Sequence, residues 1–322
     1  MVRSGASQRL LSLLLGSLLV IGGCGAGSPG SPHRSASAAA NVIALVPSER
    51  GSFAGDLDAV VETLARVRGF TVRAFTPATG SLADQIEQLG LAIAAHPRAI
   101  ILDPLSYPAL VPYLRAAHDA QIPVVVLQTT ESQPNPAYVA TFVGADTRTL
   151  TRATVSAVAE VLARGEIRAV VVSEQASSPR RARFVEALSG RLPGATVESL
   201  ALPADLTKLR AALHGAGSPT AVIALDGVAT QALLAELAAG GARRPKIVVS
   251  PFDSAAAEML RHSYADVAVG PDVCAMASAA VDAAAKAAEH DVAALKPSLA
   301  VPVRVVTASR RAGFPCGAVS GG

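Results

Sequence analysis

The sequence predicts an α/β fold: two similar, doubly wound parallel-sheet lobes joined by a hinge and facing each other across a ligand cleft. Three observations carry this. Short β-branched runs alternate with longer stretches of helical spacing. Those runs are apolar at consecutive positions, as strands covered on both faces require. The beat then stops and starts afresh midway, in a chain whose 322 residues suffice for two separate cores.

In order, "NVIALV" (41–46) is the first strand and 54–69 carries helical spacing. "TVRAF" follows, then a helix over 82–96, the strand "AIILD" (99–103), a helix over 107–120 and the strand "PVVVL" (123–127). The second set opens with "IRAVVVS" (167–173), a helix over 180–188, "TVESLAL" and a helix over 206–214. It continues with "AVIAL" (221–225), a helix over 228–239, "KIVVS" (246–250) and a helix over 255–261. Ligands of open α/β sheets bind beyond the carboxyl ends of the strands. Two such lobes make a cleft there, and hinge closure around a ligand is the expected motion.

Hydrophobic residues make up 51% and charged residues 16% of the chain, which marks a globular protein. The net charge of +3 is spread out, with no basic run interleaved with aromatics, so nucleic acid is not an expected partner. The six histidines (His33, His96, His118, His214, His262 and His290) lack zinc-ligand spacing. G-x-S-x-G, P-loop and dinucleotide motifs are absent. The expectation is a protein without cofactor, metal or catalytic constellation, not an enzyme.

Ahead of the first strand, Arg3 and Arg9 precede an apolar run from Leu10 to Ile21 that stops at Gly22-Gly23. This has the plan of an export signal and is shorter than the roughly 20 apolar residues of a spanning helix. Ile21-Gly22-Gly23-Cys24 resembles the bacterial lipobox, whose cysteine is lipidated and becomes the mature N-terminus. "GAGSPGSPHRSASAAA" (25–40) is too polar and too rich in Gly, Ser and Pro to pack, and reads as a flexible tether. The expected product is exported and anchored by lipid in the cell membrane, facing outward. Outside the cytoplasm the two remaining cysteines, Cys274 and Cys316, are either a disulfide or two buried thiols. The polar "AGFPCGAVSGG" around Cys316 favours the disulfide, because a free thiol there would be exposed.

From Asn41 to Thr307 the chain resembles the type 1 periplasmic binding proteins of the ribose-, galactose- and autoinducer-like branch. The resemblance rests on "IALVPSERGSF", on "QIEQLGLAIAAHPRAIILDPLSYPALVPYLRAAHDAQIPVVVL", and on "RRARFVEAL", "AVIALDGVATQALLAELAAGG" and "IVVSPFDS" in their order and spacing. It implies three interlobe crossovers, near Gly144-Ala145, near Val269-Gly270 and ahead of "AVPVRVVT" (300–307). The implied division is 1–23 signal, 24–40 lipidated Cys24 and tether, 41–144 plus 270–296 first lobe, 145–269 plus 297–308 second lobe, and 309–322 tail.

The resemblance also implies ligand residues on strand-end loops. Phe53 stands where the family stacks an aromatic on its sugar, unless it packs under its own loop; Arg50 shares that loop. Asp103 either meets ligand or caps the helix that follows. Gln128 replaces an acidic residue and can donate and accept. Arg180 matches the family's ligand-binding arginine, with Arg181 the alternative, although this arginine-rich helix start also suits a solvated face. Asp253, in "PFDS", either accepts ligand hydroxyls or caps a helix. Asp226 falls beside a position where the family has Asn and this chain has Leu225, and Val269 replaces a family Gln.

The resemblance thus implies a monomeric receptor for a small polar molecule such as a sugar or polyol, passed to the membrane permease of an ABC importer. Two alternatives stay open. One is a ligand sensor or adaptor for a membrane receptor. The other is a surface interaction protein that no longer binds a ligand, suggested by Gln128, Leu225 and Val269.

Overall fold

The structure is a computed structural model. It describes residues 41–308 except 49–51, 80, 130–135, 163–166, 175–178, 215–219, 241–244, 251 and 253. These described residues form one compact unit.

The first sheet takes β1 (Val42–Val46), β2 (Thr71–Ala74), β3 (Ala99–Leu102), β4 (Val124–Thr129), β5 (Thr141–Ala145) and β11 (Ser298–Ala300), with order β2-β1-β3-β4-β5-β11. Every neighbouring pair in it is parallel. The second takes β6 (Arg168–Ser173), β7 (Thr196–Ala201), β8 (Ala221–Ala224), β9 (Lys246–Val249), β10 (Val267–Pro271) and β12 (Val303–Thr307), with order β7-β6-β8-β9-β10-β12. It repeats the first sheet's plan, except that β12 runs antiparallel to β10. All four residues of β3 and of β8 are buried, which is why these strands read as unbroken apolar runs.

Helices cover both faces of each sheet. In the first lobe they are α1 (Ser52–Val67), α2 (Leu82–Ala94), α3 (Tyr107–Asp119) and α9 (Val273–Ala288). In the second they are α4 (Thr147–Val161), α5 (Pro179–Arg191), α6 (Leu206–His214), α7 (Gly227–Ala238) and α8 (Ser254–Arg261). Leu57, Val61, Leu64 and Ala65 give α1 a buried stripe at helical spacing, and the alanine-rich α9 lies close against it. Among the described residues no helix is long and apolar enough to cross a membrane.

The chain passes between lobes three times. Ala145 ends β5, and Asp146 caps α4, accepting from Thr149 N at 2.8 Å. Pro271 ends β10, and Asp272 caps α9, accepting from Cys274 N at 3.0 Å and Ala275 N at 3.1 Å. The third passage is Val301-Pro302, between β11 and β12. Here the structure corrects the expected division. Ser298–Ala300 adds a parallel strand to β5, so it belongs to the first lobe and not, with 297–308, to the second. A three-residue strand is too short to show a period, and only its pairing partner reveals its lobe. Asp272 N donates to Pro302 O at 2.7 Å and Val301 N to Gly144 O at 2.9 Å, so the crossovers brace one another.

Candidate functional site

In a sheet of order 2-1-3, the chain leaves β1 toward one side and β3 toward the other, opening a crevice between their carboxyl ends. In the first lobe two polar residues meet at that point. Ser48, just after β1, donates through Oγ to Asp103 Oδ2, just after β3, at 2.7 Å. Beneath them Gln85, fully buried in α2, donates from Nε2 to Pro47 O at 3.0 Å and to Asp103 O at 2.7 Å. Its Oε1 accepts from Leu105 N at 2.9 Å. One side chain thus holds the ends of both strand loops.

Asp103 is only 5% exposed. Nearby on α1, Asp58 is half-buried, and its Oδ1 is buried without a hydrogen-bond partner among the described residues. Burial, and then the charge of Asp103, push the Asp58 carboxyl from its ordinary 3.8 to about 6. The first lobe therefore offers the crevice two neighbouring carboxyl groups. The sequence reading missed Asp58. Its signal was an acidic residue on an amphipathic helix with no basic residue three or four places away, unlike Glu62, which pairs with Arg66.

The second lobe repeats the geometry with the opposite charge. Glu174 N, after β6, donates to Asp226 Oδ2, after β8, at 2.8 Å. Asp226 Oδ1 accepts from Ala229 N at 2.9 Å, capping α7. Both carboxylate oxygens are thus engaged by backbone, and Asp226 is a brace for the loop ends. Above it, Arg180 reaches from the first turn of α5 and donates from Nη2 to Ser250 Oγ, after β9, at 3.1 Å. Ser250 is fully buried and lies 3.4 Å from Thr154 Oγ1. Arg181 Nη1 stands 3.5 Å from Ser173 Oγ, at the end of β6. Two guanidinium groups therefore lie over the carboxyl edge of the second sheet. α1 and α8, one from each lobe, pack against each other.

Phe53 falls in the first turn of α1 and Gln128 in β4. Their side chains, like Arg50 and Asp253 entirely, lie outside the described residues, as do Cys24 and Cys316. Cys274 is disulfide-bonded and stands in the first turn of α9, at the second crossover. Leu225 and Val269 are 2% and 0% exposed, packed in the second lobe's core with Phe184. They are core residues of the second lobe. Among the described residues no cluster of His, Cys, Asp and Glu could hold a metal ion.

The molecule thus has two α/β lobes, three braced crossovers and polar groups at the strand ends of each lobe. Residues 43–291 match the family described as the periplasmic binding protein domain, and the chain belongs to it. That is a family of binding proteins, not enzymes. Similar solved structures include a glucose-galactose binding protein from Geobacillus stearothermophilus, 16% identical, with a TM-score of 0.67, 84% of this chain and 98% of that one covered. An ABC transporter solute binding protein from Agrobacterium vitis, bound with α-D-tagatopyranose, is 16% identical with a TM-score of 0.69, covering 85% and 97%. Another from Burkholderia graminis, in complex with D-arabinose, is 16% identical with a TM-score of 0.65, covering 85% and 97%. No curated sequence matches the chain.

Proposed function

We propose that the protein is a lipid-anchored, extracytoplasmic solute-binding protein that captures a sugar or polyol and presents it to the permease of an ABC importer. The observation that carries the reading is the polarity of the cleft: Asp58 and Asp103 on the first lobe, Arg180 and Arg181 on the second. A hydroxyl donates to a carboxylate and accepts from a guanidinium, so a polyhydroxyl molecule satisfies both walls at once. The ligands named for the two sugar-bound neighbours are of this chemistry.

Binding across both lobes stabilises the closed form, and the permease reads closure as a difference in affinity between the two states. Cys24 carries the lipid, residues 25–40 form the tether, and Cys274 pairs with Cys316. Phe53, Arg50, Gln128 and Asp253 complete the ligand's surroundings.

A thermal-shift screen of the Ser37–Gly322 unit against sugars, polyols, nucleosides and amino acids tests this. Ligand at a hundred times its dissociation constant adds about 2.7 kcal/mol. A sugar or polyol that shifts the wild type but not Arg180→Ala supports the reading. No shift with any sugar or polyol overturns it.

A further inference from the structure

In the second lobe, α4 and α5 pack side by side and leave an open groove of about 440 Å³. Arg148 and Arg152 line it from α4, Arg183 and Arg191 from α5, all four exposed. Thr151 and Ser156 add hydroxyls, over a floor that includes the buried Val155. Among the described residues no Asp or Glu lines it. The two helices together carry six arginines against two glutamates, Glu160 and Glu186, and Asp146 caps the start of α4 beside Arg148. Arg183 and Arg191 lie eight positions apart, so the positive line runs about 12 Å along the helix.

Guanidinium groups beside hydroxyls form a donor array for phosphoryl oxygens, which accept several hydrogen bonds from forked donors. We propose that this groove docks the second lobe onto the phosphate headgroups of an anionic bilayer. The inference rests on the membrane anchoring proposed above, which keeps the lobes near such a surface. Residues 25–40, fully extended, reach at most about 55 Å, enough for the protein to lie over on its side. Each arginine near an anionic surface strengthens binding about fivefold, so four together make a weak, salt-sensitive contact that the tether renders persistent.

The test uses the soluble Ser37–Gly322 unit, which lacks Cys24, so that its outcome is independent of lipidation. It is sedimented with vesicles of phosphatidylcholine alone or with about one-third phosphatidylglycerol. The expected result is binding to the anionic vesicles only, abolished by about 0.5 M NaCl. The variant R152Q/R191Q should bind about tenfold or more weakly. R66Q/R115Q, which removes the same charge from the first lobe, should bind as the wild type does. No binding to anionic vesicles, or equal binding by both double variants, overturns the proposal. So does calorimetric binding of glycerol phosphate or of polyglutamate without vesicle binding, which would assign the groove to a free phosphate or an acidic peptide. A ligand shift in the thermal screen of the same unit shows separately whether the cleft functions.

Discussion

Ser48 Oγ and Asp103 Oδ2 lie 2.7 Å apart, a hydrogen bond that spans 55 residues of chain and ties together the loops after β1 and β3. Asp103 is nearly buried, and the serine is one of the donors that offset its lost hydration. Ser48→Ala should lower stability by about 1.5 kcal/mol, as expected for a bond to a charged group, and weaken ligand. Denaturant unfolding and ligand titration of the same variant check both. An unchanged midpoint would show that Asp103 is held by other partners.

Gln85 makes three hydrogen bonds to backbone from a fully buried site, and Leu at this position leaves three backbone groups without their partner. Gln85→Leu should cost about 3 kcal/mol, more than Ser48→Ala, although it lies below the cleft surface. The comparison of the two midpoints is the measurement. Equal costs would mean that water replaces the lost amide.

Asp58 titrates near 6 in the folded protein against 3.8 ordinarily, so between these values the folded state binds the proton that the unfolded chain has released. Stability therefore falls as pH rises from about 4 to about 6 and is level, for this group, above that. Asp58→Asn should remove this slope and raise stability at pH 7 by about 1 kcal/mol, the part left after solvent screening of a half-buried group. Urea midpoints across the pH range decide it. A wild-type slope that persists in the variant belongs to another group.

Gly270 sits in β10 with its α-carbon against Phe252. A Cβ added there would lie 2.5 Å from Phe252 Cβ and 2.6 Å from its backbone N. Backbone cannot rotate aside, so Gly270→Ala should destabilise by about 2 kcal/mol or more. A melting temperature equal to the wild type's would mean that the second crossover shifts freely.

Mass spectrometry of the unreduced protein checks the proposed Cys274–Cys316 bond. The expected outcome is a mass two hydrogen atoms below that of the reduced chain, with one cross-linked peptide carrying both cysteines. Free Cys316, or Cys274 joined to a different cysteine, overturns the pairing.

Most strands and helices were legible because their signals are local. "IRAVVVS" is β6 because its apolar run is buried from both sides, and α1 is a helix because Leu57, Val61 and Leu64 recur at helical spacing. The sequence by itself also determined the doubling of the βα plan, and with it two sheets of the same strand order. What it could not decide was direction. Leu225 and Val269 looked like missing polar contacts, and the tertiary structure turns both side chains into the core. Asp226 accepts from Glu174 N, a partner 52 residues away that its own stretch of chain does not reveal. Asp58 showed nothing in its own stretch of chain, and it gained its character only when folding buried it beside Asp103. Hydrophobic period is a property of neighbours along the chain, whereas burial, partners and charge at a given side chain depend on residues far away in sequence. For that reason the chain announced its fold, and tertiary packing alone decided which polar residues are buried and which partners they meet.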